Sequence, residues 1–572
     1  MALNIADLFE HAADAVPDRI AVACGDRRVT YRELDERSTR LAHHLAGLGV
    51  GRDDHVGLYA RNSIEAVETL LAAYKLRGRA VNINYRYVEG ELRYMFTDSD
   101  LVALVYDREF APLVSAVLPD SPGVRGTVVI GDLAGGTAAQ PPGTPYEEAL
   151  AGASPERDFG PRSGDDIYLL YTGGTTGYPK GVLWRQEDVW RTLGGGVDFM
   201  TGEPLADEWV QSRSTANGPG LVKLCVAPLI HGSAQWTAMM SLFTGDTVVL
   251  LPHFDPDEVW RAVERHKVNV LVVVGDAMAR PLIDALVAGD YDASSILSLS
   301  SNGALFSQSV KDAAFAALPN VVITDAIGSS ETGFTGLGFA SKGGQQRGGP
   351  TVSPGPSTIV IGDDGRRVGP GDTGRLARGG HVPLGYYKDP AKTAAMFAEV
   401  DGERYVVPGD WARVEEDGTI TLLGRGNVSI NTGGEKVFPE EVESAIKEHP
   451  DVFDTLVIGI PDERLGQRVA AIVQPRPGAD LDLADLDAVV RKHVAGYKVP
   501  RTVWVTGTIG RTPSGKADYV WARKFAEAAG RGGAWTEERG TSDEGRRRSE
   551  APRVPGGPGG RPPGLAPRKA DG

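Results

Sequence analysis

The sequence is short of cysteine, of long apolar runs and of positive charge, and each shortage excludes a class of protein. Only Cys24 and Cys225 occur in 572 residues, too few for a disulfide framework or a zinc site, which indicates a reducing compartment. No apolar run approaches the roughly 20 residues that span a bilayer. The net charge of −16 argues against a nucleic-acid binder and against binding to an anionic membrane surface.

The composition and the N-terminal residues predict a globular, cytoplasmic protein with more than one domain. Hydrophobic residues make up 41% of the chain and charged residues 24%. At 572 residues the chain is too long for one ordinary domain. The first residues form an acidic amphipathic start rather than a basic and apolar signal peptide. We expect no nucleic-acid partner and no integral membrane association, and the sequence leaves open whether the protein forms homo-oligomers.

Helix and strand patterns alternate over most of the chain, which predicts an α/β fold. Thr30 with Glu33 begins a helix that continues to about residue 48, and residues 62–65 cap a second helix that continues to about residue 76. Short β-rich runs lie between and after these helices, and residues 119–163 look like loops. We therefore expect a large N-terminal domain, residues 1–425, of mixed or parallel sheets with packed helices.

After residue 425 the pattern changes to that of a smaller second domain. Helices are predicted at 439–447 and 483–493, and strands at 455–458, 469–473 and 502–505. Together they predict an α+β domain at 426–528, and the glycines at its start suit a hinge that would make it mobile. Residues 529–572 combine glycine, proline and charge with little apolar content, so we expect this tail to be disordered.

A loop rich in glycine and threonine follows the apolar run at 167–170. Backbone N–H groups and threonine hydroxyls in such a loop can cradle phosphate oxygens, and a lysine adds positive charge. The Walker phosphate loop is excluded, because Pro179 precedes the lysine and no hydroxyl residue follows it. A plain glycine-rich hairpin is the alternative, but a pattern of this length is more specific than a lone Gly-x-Gly. The predicted phosphate-binding residues are Thr172, Gly173, Gly174, Thr175, Thr176, Gly177 and Lys180.

This loop resembles the phosphate loop of the adenylate-forming superfamily, which comprises acyl-CoA synthetases, luciferases and the adenylation domains of peptide synthetases. Seven further segments resemble motifs of the superfamily in the expected order, and the resemblance covers residues 1 to about 525. The sequence departs from the pattern at Ile327, where an aromatic ring is usual, and at Pro408, Val428 and Asn431. The matched segments are 228–232, 302–305, 325–332, 405–410, 424–425, 433–443 and 511–516.

The resemblance implies a role for each matched residue. It makes Lys516 the bridge between the substrate carboxylate and the α-phosphate, and it makes Glu331, with Thr176, the holder of Mg²⁺ on the ATP phosphates. His231 would border the acyl tunnel, although a lone histidine is as often a packed structural residue. The remaining implied contacts are Gly303, Ala304, Leu305, Asp325, Ala326, Ile327, Gly328 and Ser330 with the nucleotide, Asp410 and Arg425 with the ribose, and Gly433 and Gly434 with the pantetheine arm.

The resemblance implies an acid–thiol ligase: an ATP-dependent acyl-CoA synthetase that uses ATP, Mg²⁺ and CoA. The segments at 328–333 and 431–437 resemble those of actinobacterial synthetases for fatty acids and steroid side chains, which favours a bulky hydrophobic acid as substrate. A fatty-acyl-AMP ligase that loads a carrier protein, a peptide-synthetase adenylation domain, a luciferase and a catalytically inactive scaffold are the alternatives.

Overall fold

A computed structural model describes most of the chain. The described residues are 3–131, 142–172, 179–198, 203–344, 349–432, 435–462, 464–512, 515–530 and 535–536, of which 425, 427, 436, 535 and 536 are described by their backbone alone. In the described residues the α-helices are α1 (Ile5–Ala15), α2 (Tyr31–Gly47), α3 (Ile64–Lys75), α4 (Glu89–Asp98), α5 (Ala111–Val117), α6 (Tyr146–Ala151), α7 (Gln186–Leu193), α8 (Val210–Thr215), α9 (Gly232–Phe243), α10 (Pro256–His266), α11 (Gly275–Ala288), α12 (Gln308–Ala317), α13 (Pro390–Met396), α14 (Pro439–Lys447), α15 (Leu483–His493) and α16 (Tyr519–Ala529). Within this part of the chain, no helix has the length and apolar character needed to cross a bilayer.

The strands are distributed over four sheets. They are β1 (Ile20–Cys24), β2 (Arg27–Thr30), β3 (His55–Tyr59), β4 (Arg79–Asn82), β5 (Leu101–Asp107), β6 (Gly126–Ile130), β7 (Thr144–Pro145), β8 (Ile167–Thr172), β9 (Lys180–Arg185), β10 (Val222–Cys225), β11 (Thr247–Leu250), β12 (Val270–Val273), β13 (Ser298–Asn302), β14 (Val322–Ser329), β15 (Gly333–Phe339), β16 (Thr351–Pro354), β17 (Thr358–Ile361), β18 (Thr373–Arg378), β19 (Gly385–Tyr386), β20 (Phe397–Val400), β21 (Glu403–Val406), β22 (Asp410–Val414), β23 (Ile420–Arg425), β24 (Ile430–Thr432), β25 (Glu435–Val437), β26 (Val452–Asp462), β27 (Gly466–Pro475), β28 (Thr502–Val505) and β29 (Trp535–Thr536).

The largest sheet has a parallel part that carries the candidate site. Strands β1, β11, β10, β12, β13 and β14 lie side by side in parallel, and from β15 onward the sheet continues antiparallel. A second sheet, β4-β3-β5-β6-β7, is entirely parallel, and a third joins β19, β9 and β8. Helices cover the parallel sheets, as such sheets require. The predicted α/β architecture of mixed and parallel sheets is therefore what the structure has.

The C-terminal part of the chain forms a smaller α+β unit. Its sheet has the order β25-β24-β27-β28-β29, and β26 pairs with β27. Helices α14 and α15 have the bounds that the sequence predicted, and so does β28. Strand β29 lies inside the tail predicted to be disordered, and it pairs antiparallel with β28, so the prediction is wrong for Trp535 and Thr536. Residues 531–534 and 537–572 lie outside the described residues, and their disorder stays a prediction.

Two local predictions in the large domain need correction. The capping box of Thr30 and Glu33 is present, but α3 is capped by Ser63, whose side chain accepts from the backbone N–H of Ala66. Asn62 instead accepts a 2.7 Å hydrogen bond from the backbone of Leu229, far away in the sequence. The predicted loop region at 119–163 contains the buried parallel strand β6 and the helix α6. Glycine and proline around short apolar runs of this kind favour the prediction of a loop, so the strand and the helix are not recognised from the sequence.

Candidate active site

A cavity of about 500 Å³ lies between helix α9 and one face of the parallel sheet. This volume is in the range of small-molecule sites in proteins. The sheet contributes side chains from β12, β13 and β14 and their carboxyl ends, and the opposite walls come from α9, β8, β9 and α7. The lining residues are Tyr168, Leu170, Tyr171, Thr172, Trp184, Thr192, Leu193, Ala227, Ile230, His231, Gly232, Ser233, Trp236, Thr237, Met240, Val272, Val274, Ser298, Ser300, Asn302, Gly303, Thr324, Ala326, Ile327, Gly328, Ser329, Ser330, Gly333, Phe334, Leu337 and Lys516.

Helix α9 presents one face to this cavity. The lining residues on it, from Gly232 to Met240, recur at spacings of three and four, which places them on one side of a helix and spreads them over about 12 Å of its length. Gly232 allows the helix to begin against β8, because a Cβ there would lie 2.6 Å from Cδ2 of Leu170. The apolar wall is thus built from Leu170, Trp236 and Met240 together with Val272 of β12 and Val274 just after it.

Lys516 enters the cavity from the small domain. Its Cε lies 3.2 Å from the position that a Cβ on Gly303 would take, and Gly303 has a φ of +73°, so both space and backbone conformation favour glycine. The turn that presents the lysine is closed on itself: the Thr512 backbone N–H donates to the Lys516 carbonyl at 2.9 Å. In the same turn the Lys516 backbone N–H donates to Oγ1 of Thr512 at 3.1 Å. The structure therefore brings the predicted catalytic lysine into the predicted nucleotide region.

His231 lies directly before α9 and also lines the cavity. Burial, with a smaller contribution from the charge of Lys516, lowers the pKa of His231 to about 3. Its Nε2 has no hydrogen-bond partner among the described residues. His231 is consequently a neutral wall residue at physiological pH whose buried Nε2 has no partner among the described residues, which suits a substrate contact rather than a permanent positive charge.

Glu331 sits at the tip of the hairpin between β14 and β15, close to the base of the predicted phosphate loop. Tyr386 donates a 3.0 Å hydrogen bond from its hydroxyl to Oε1 of Glu331, and Nζ of Lys180 lies 5.3 Å from the centre of the Tyr386 ring. Thr172 and Lys180 are cross-strand partners in β8 and β9, so the two ends of the loop are fixed side by side. Partial burial and the neighbouring Lys392 lower the pKa of Lys180.

Lys392 and Tyr386 were missed by sequence reasoning, because neither belongs to a motif. Tyr386 lies on β19, and Lys392 lies in the first turn of α13, where it pairs with Asp389 at 2.8 Å. The only signal for Lys392 would have been its charge, which is not distinctive in a surface helix.

The residues here fit a magnesium ion that is held mainly by the nucleotide. Magnesium usually takes one or two protein carboxylates and completes its shell with phosphate and water oxygens. Glu331 can supply such a carboxylate, and within the described part of the chain no group of three or more acidic, histidine or cysteine side chains forms a protein-only metal site. The other predicted metal ligand, Thr176, lies outside the described residues.

Several predicted nucleotide contacts lie beside the cavity and not in its wall. The carboxylate of Asp325 is buried in an ion pair with Lys311 at 2.5 Å, while Ala326 of the same strand faces the cavity with Ile327, Gly328 and Ser330. Ala304 and Leu305 follow Gly303, but they are not among the lining residues. Contacts of Asp325, Ala304 and Leu305 with a nucleotide stay predictions.

The two predicted ribose-binding residues are brought together by the sheet. Asp410 and Arg425 are cross-strand partners in β22 and β23. The Gly426 N–H donates to the Gly409 carbonyl at 2.9 Å next to this pair. The remaining predicted site residues, Gly173, Gly174, Thr175, Thr176, Gly177, Gly433 and Gly434, lie outside the described residues.

A buried ionic cluster joins the two domains next to Lys516. Nζ of Lys447, on α14, lies 3.0 Å from Oδ2 of Asp276 on α11 and 3.2 Å from Oδ1 of Asp454 on β26. Arg511 donates two hydrogen bonds to Asp454, at 2.9 and 2.5 Å. Burial by itself would raise the pKa of Asp454, but Lys447 and Arg511 together lower it. The cluster ties the domain that carries Lys516 to the helix beside the cavity.

Comparisons with known proteins agree with this geometry. The sequence model described as AMP-binding enzyme matches residues 9–387, and the model described as AMP-binding enzyme C-terminal domain matches residues 441–516. The chain belongs to the AMP-binding enzyme family. The predicted place in the adenylate-forming superfamily, on its acyl-CoA synthetase branch, is therefore confirmed, as is the predicted class of acid–thiol ligase.

Two relatives match this AMP-binding enzyme along almost the whole chain. A 3-oxocholest-4-en-26-oate–CoA ligase of Rhodococcus rhodochrous is 55% identical over 531 residues, which cover 91% of this chain and 96% of the relative. A medium/long-chain-fatty-acid–CoA/3-oxocholest-4-en-26-oate–CoA ligase of Mycobacterium tuberculosis is also 55% identical, with 92% and 97% covered. The predicted cofactors ATP, Mg²⁺ and CoA are those of this family.

Solved structures confirm the fold. An anthranilate CoA ligase in complex with anthranoyl-AMP has a TM-score of 0.79 at 23% identity, and the match covers 92% of this chain and 98% of that one. An ATP-bound MatB from Rhodopseudomonas palustris has a TM-score of 0.76 at 24% identity, with 92% and 99% covered.

Proposed function

We propose that this AMP-binding enzyme converts a bulky hydrophobic carboxylic acid into its CoA thioester through an acyl-adenylate. The observation that carries the proposal is the cavity, whose walls are largely apolar and small and whose one cationic lining residue, among those described, is Lys516. A carboxylate can meet the lysine, and a hydrocarbon body can fill the space between α9 and the sheet.

The proposed chemistry follows from the positively charged side chains that this site brings together. A carboxylate is a poor electrophile, and activation requires its oxygen to attack the α-phosphate of ATP with release of pyrophosphate. Negative charge accumulates in that transition state, so positioning and compensating charge do the catalytic work. Lys516 is our candidate for the bridge between carboxylate and α-phosphate, and Lys180 with Lys392 for the leaving pyrophosphate. Mg²⁺, held through Glu331, would neutralise phosphate oxygens.

The second half-reaction would use the same cavity after the small domain has turned. We propose domain limits at 1–425 and 426–528, because β23 ends the large sheet at Arg425 and a one-turn 3-10 helix, Gly426–Val428, leads to the small sheet. A rotation about residues 425–428 would withdraw Lys516 and bring residues 433–434 to the thiol arm of CoA, which displaces AMP.

The relatives' names guide the choice of acid. One acts on 3-oxocholest-4-en-26-oate, and the other on this acid and on medium- and long-chain fatty acids. A fatty acid or a steroid-type acid is therefore the class that we propose here. We also propose a cytoplasmic location, on the evidence of the two unpaired cysteines.

The experiment is a measurement of AMP release with a panel of carboxylic acids, with and without CoA. We expect AMP release and acyl-CoA formation with bulky hydrophobic acids and little of either with acetate or amino acids. Acid-dependent pyrophosphate exchange without any CoA-dependent product would instead favour a fatty-acyl-AMP ligase that serves a carrier protein. Absence of exchange with every acid would favour an inactive scaffold and contradict the proposal.

A further inference from the structure

Three hydroxyl groups stand together on the sheet side of the cavity. Ser298 and Ser300 lie on β13 and Thr324 on the neighbouring β14, and all three line the cavity. Ser300 and Thr324 are partners in the parallel register, and their hydroxyl oxygens are 2.8 Å apart. The hydroxyl oxygens of Ser298 and Ser300 are 3.5 Å apart. These three residues form a small polar patch on the sheet side of the cavity. Val272 stands in the same row of the sheet as Ser300, and Asn302 is the next lining residue along β13.

The hydrogen bonds of this patch are incomplete. Three hydroxyl groups have three protons to donate, and within the described residues they have only the two contacts with one another, of which the 3.5 Å contact is longer than an ordinary O–H···O bond. Two other hydroxyls of the cavity wall differ, because each is bonded within its own helix: Thr237 donates to the Ser233 carbonyl at 2.8 Å and Thr192 to the Asp188 carbonyl at 2.9 Å. At least one proton of the patch is thus available to an acceptor inside the cavity.

The strand register gives the depth of the patch. Asn302 and Ala326 are paired one row nearer to Lys516, next to Gly303. Successive rows on one face of a parallel sheet are about 7 Å apart, so Ser300 and Thr324 lie about 7 Å below this row and Ser298 about 13 Å below it. If the carboxylate of an acid lies at Lys516, the middle or distal part of its hydrocarbon body lies next to the three hydroxyls.

We propose that Ser298, Ser300 and Thr324 bind a carbonyl or hydroxyl oxygen on the hydrocarbon body of the acid. The preferred substrates are then keto or hydroxy derivatives of large hydrophobic acids, and the unsubstituted acids are poorer substrates of the same site. This inference rests on the proposed function, because it takes the carboxylate to lie at Lys516. Unsatisfied hydroxyls in an apolar wall disfavour an unsubstituted acid, whereas an oxygen acceptor at this depth completes their hydrogen bonds.

The test compares matched acids in the CoA-dependent AMP-release assay. One series is hexadecanoate against oxohexadecanoates in which the ketone moves one carbon at a time along the chain; a second is a fused-ring acid with and without a ring ketone. We expect kcat/KM for the best oxo acid to exceed that of its parent by about three- to tenfold, as one hydrogen bond allows. The advantage should depend on the position of the ketone.

The variants are Thr324→Val and Ser300→Ala, with Thr237→Val as the matched control in the same cavity. Thr324→Val keeps the shape of the side chain and removes its hydroxyl. The ratio of kcat/KM for the oxo acid to kcat/KM for its parent acid should therefore fall to about one, while Thr237→Val should leave this ratio unchanged. Because each ratio is taken within one variant, a general loss of folded enzyme cancels, and melting curves check the fold.

Different results would overturn the role of the hydroxyl patch and the proposed function. An unchanged ratio in both hydroxyl variants, or no preference for any oxo acid in the wild type, would overturn this inference while acyl-CoA formation still supports the proposed function. No CoA-dependent AMP release with any acid of either series would overturn the proposed function and the inference with it.

Discussion

The ion pair between Asp276 and Lys447 predicts that neutralising Asp276 slows the first half-reaction, adenylation, and spares the second, thioester formation. Asp276 is on α11 of the large domain, and Lys447 is on α14 of the small one; their side chains are 2% and 1% exposed. In Asp276→Asn the hydrogen bond from the Ser307 backbone to Oδ1, 2.8 Å long, can be kept, while the charge that faces Lys447 is removed. The domain arrangement that places Lys516 in the cavity should therefore be destabilised.

The magnitude follows from the partners that remain. Removing one member of a buried pair costs about 3–5 kcal/mol when nothing replaces it. Here Lys447 retains Asp454 at 3.2 Å, so we take about 1.5–3 kcal/mol, roughly half of that cost. Since about 1.4 kcal/mol is a factor of ten, the rate of adenylation should fall about ten- to a hundredfold. Thioester formation from a supplied acyl-adenylate should not fall, because it does not need this arrangement.

The same helix supplies a matched control. Asp284 also faces the small domain, but its distance to Arg476 is 3.8 Å and both side chains are more than one third exposed. Such surface pairs contribute at most about 1 kcal/mol, so Asp284→Asn should change neither half-reaction more than a few fold. Pyrophosphate exchange, thioester formation and a melting curve are measured on both variants. An equal loss of both half-reactions in Asp276→Asn, or equal behaviour of the two variants, would contradict this prediction.

Four further predictions concern the cavity itself. Lys516→Ala should lower acyl-adenylate formation by about a thousandfold, as loss of a charge-stabilising group does, while sparing thioester formation from supplied acyl-adenylate; equal losses would make the lysine structural. Glu331→Gln should raise the Mg²⁺ concentration needed for half-maximal activity without changing the melting temperature, and an unchanged titration would remove Glu331 from the metal site. Gly232→Ala places a methyl group 2.6 Å from Leu170 and so narrows the cavity; KM should rise more for bulky acids than for short ones, and a uniform rise would contradict this. His231 has a folded pKa of about 3, below the roughly 6.5 of an unfolded histidine, so stability is fully present above pH 6.5 and falls by up to about 1.4 kcal/mol per pH unit below it. Melting temperatures from pH 4 to 8 should show a shallower slope in His231→Phe, and parallel curves would exclude this linkage.

The part of the site that could be predicted from sequence is the part fixed by local backbone chemistry. Gly303 has a positive φ and a close neighbour in Lys516, so the turn around it tolerates few other residues and leaves a recognisable pattern. Thr172 and Lys180 end and begin paired strands, which fixes the spacing of the loop between them. Such constraints act over a few residues, and a linear pattern can represent them.

Contacts that depend on packing between distant elements could not be predicted. Tyr386 reaches Glu331 only because β19 pairs with β9, and Asp276 meets Lys447 only through the docking of two domains. The type and position of Asn62 predict a helix cap, yet its side chain accepts a hydrogen bond from the backbone of Leu229 in the assembled fold. Local propensity cannot decide between a local and a distant partner when both satisfy the same amide group.

The hydroxyl patch of the cavity corresponds to a polar pattern in the sequence, but this pattern can be interpreted only when the order of the strands in the sheet is known. Strands of a parallel sheet that are covered on both faces usually consist of continuous apolar runs, as β12 does with Val-Leu-Val-Val. Strand β13, its direct neighbour, reads Ser-Leu-Ser-Ser-Asn. Positions 298, 300 and 302 line the cavity, while Ser301 alternates to the other face, where its Oγ accepts from the backbone N–H of Gly275. A central strand loses apolar packing when polar residues replace apolar ones at every second position. We therefore expect a compensating interaction on that face of the strand. A cavity alone would be served equally well by alanine or valine; the hydroxyls are explained by a ligand that carries an oxygen at the same depth.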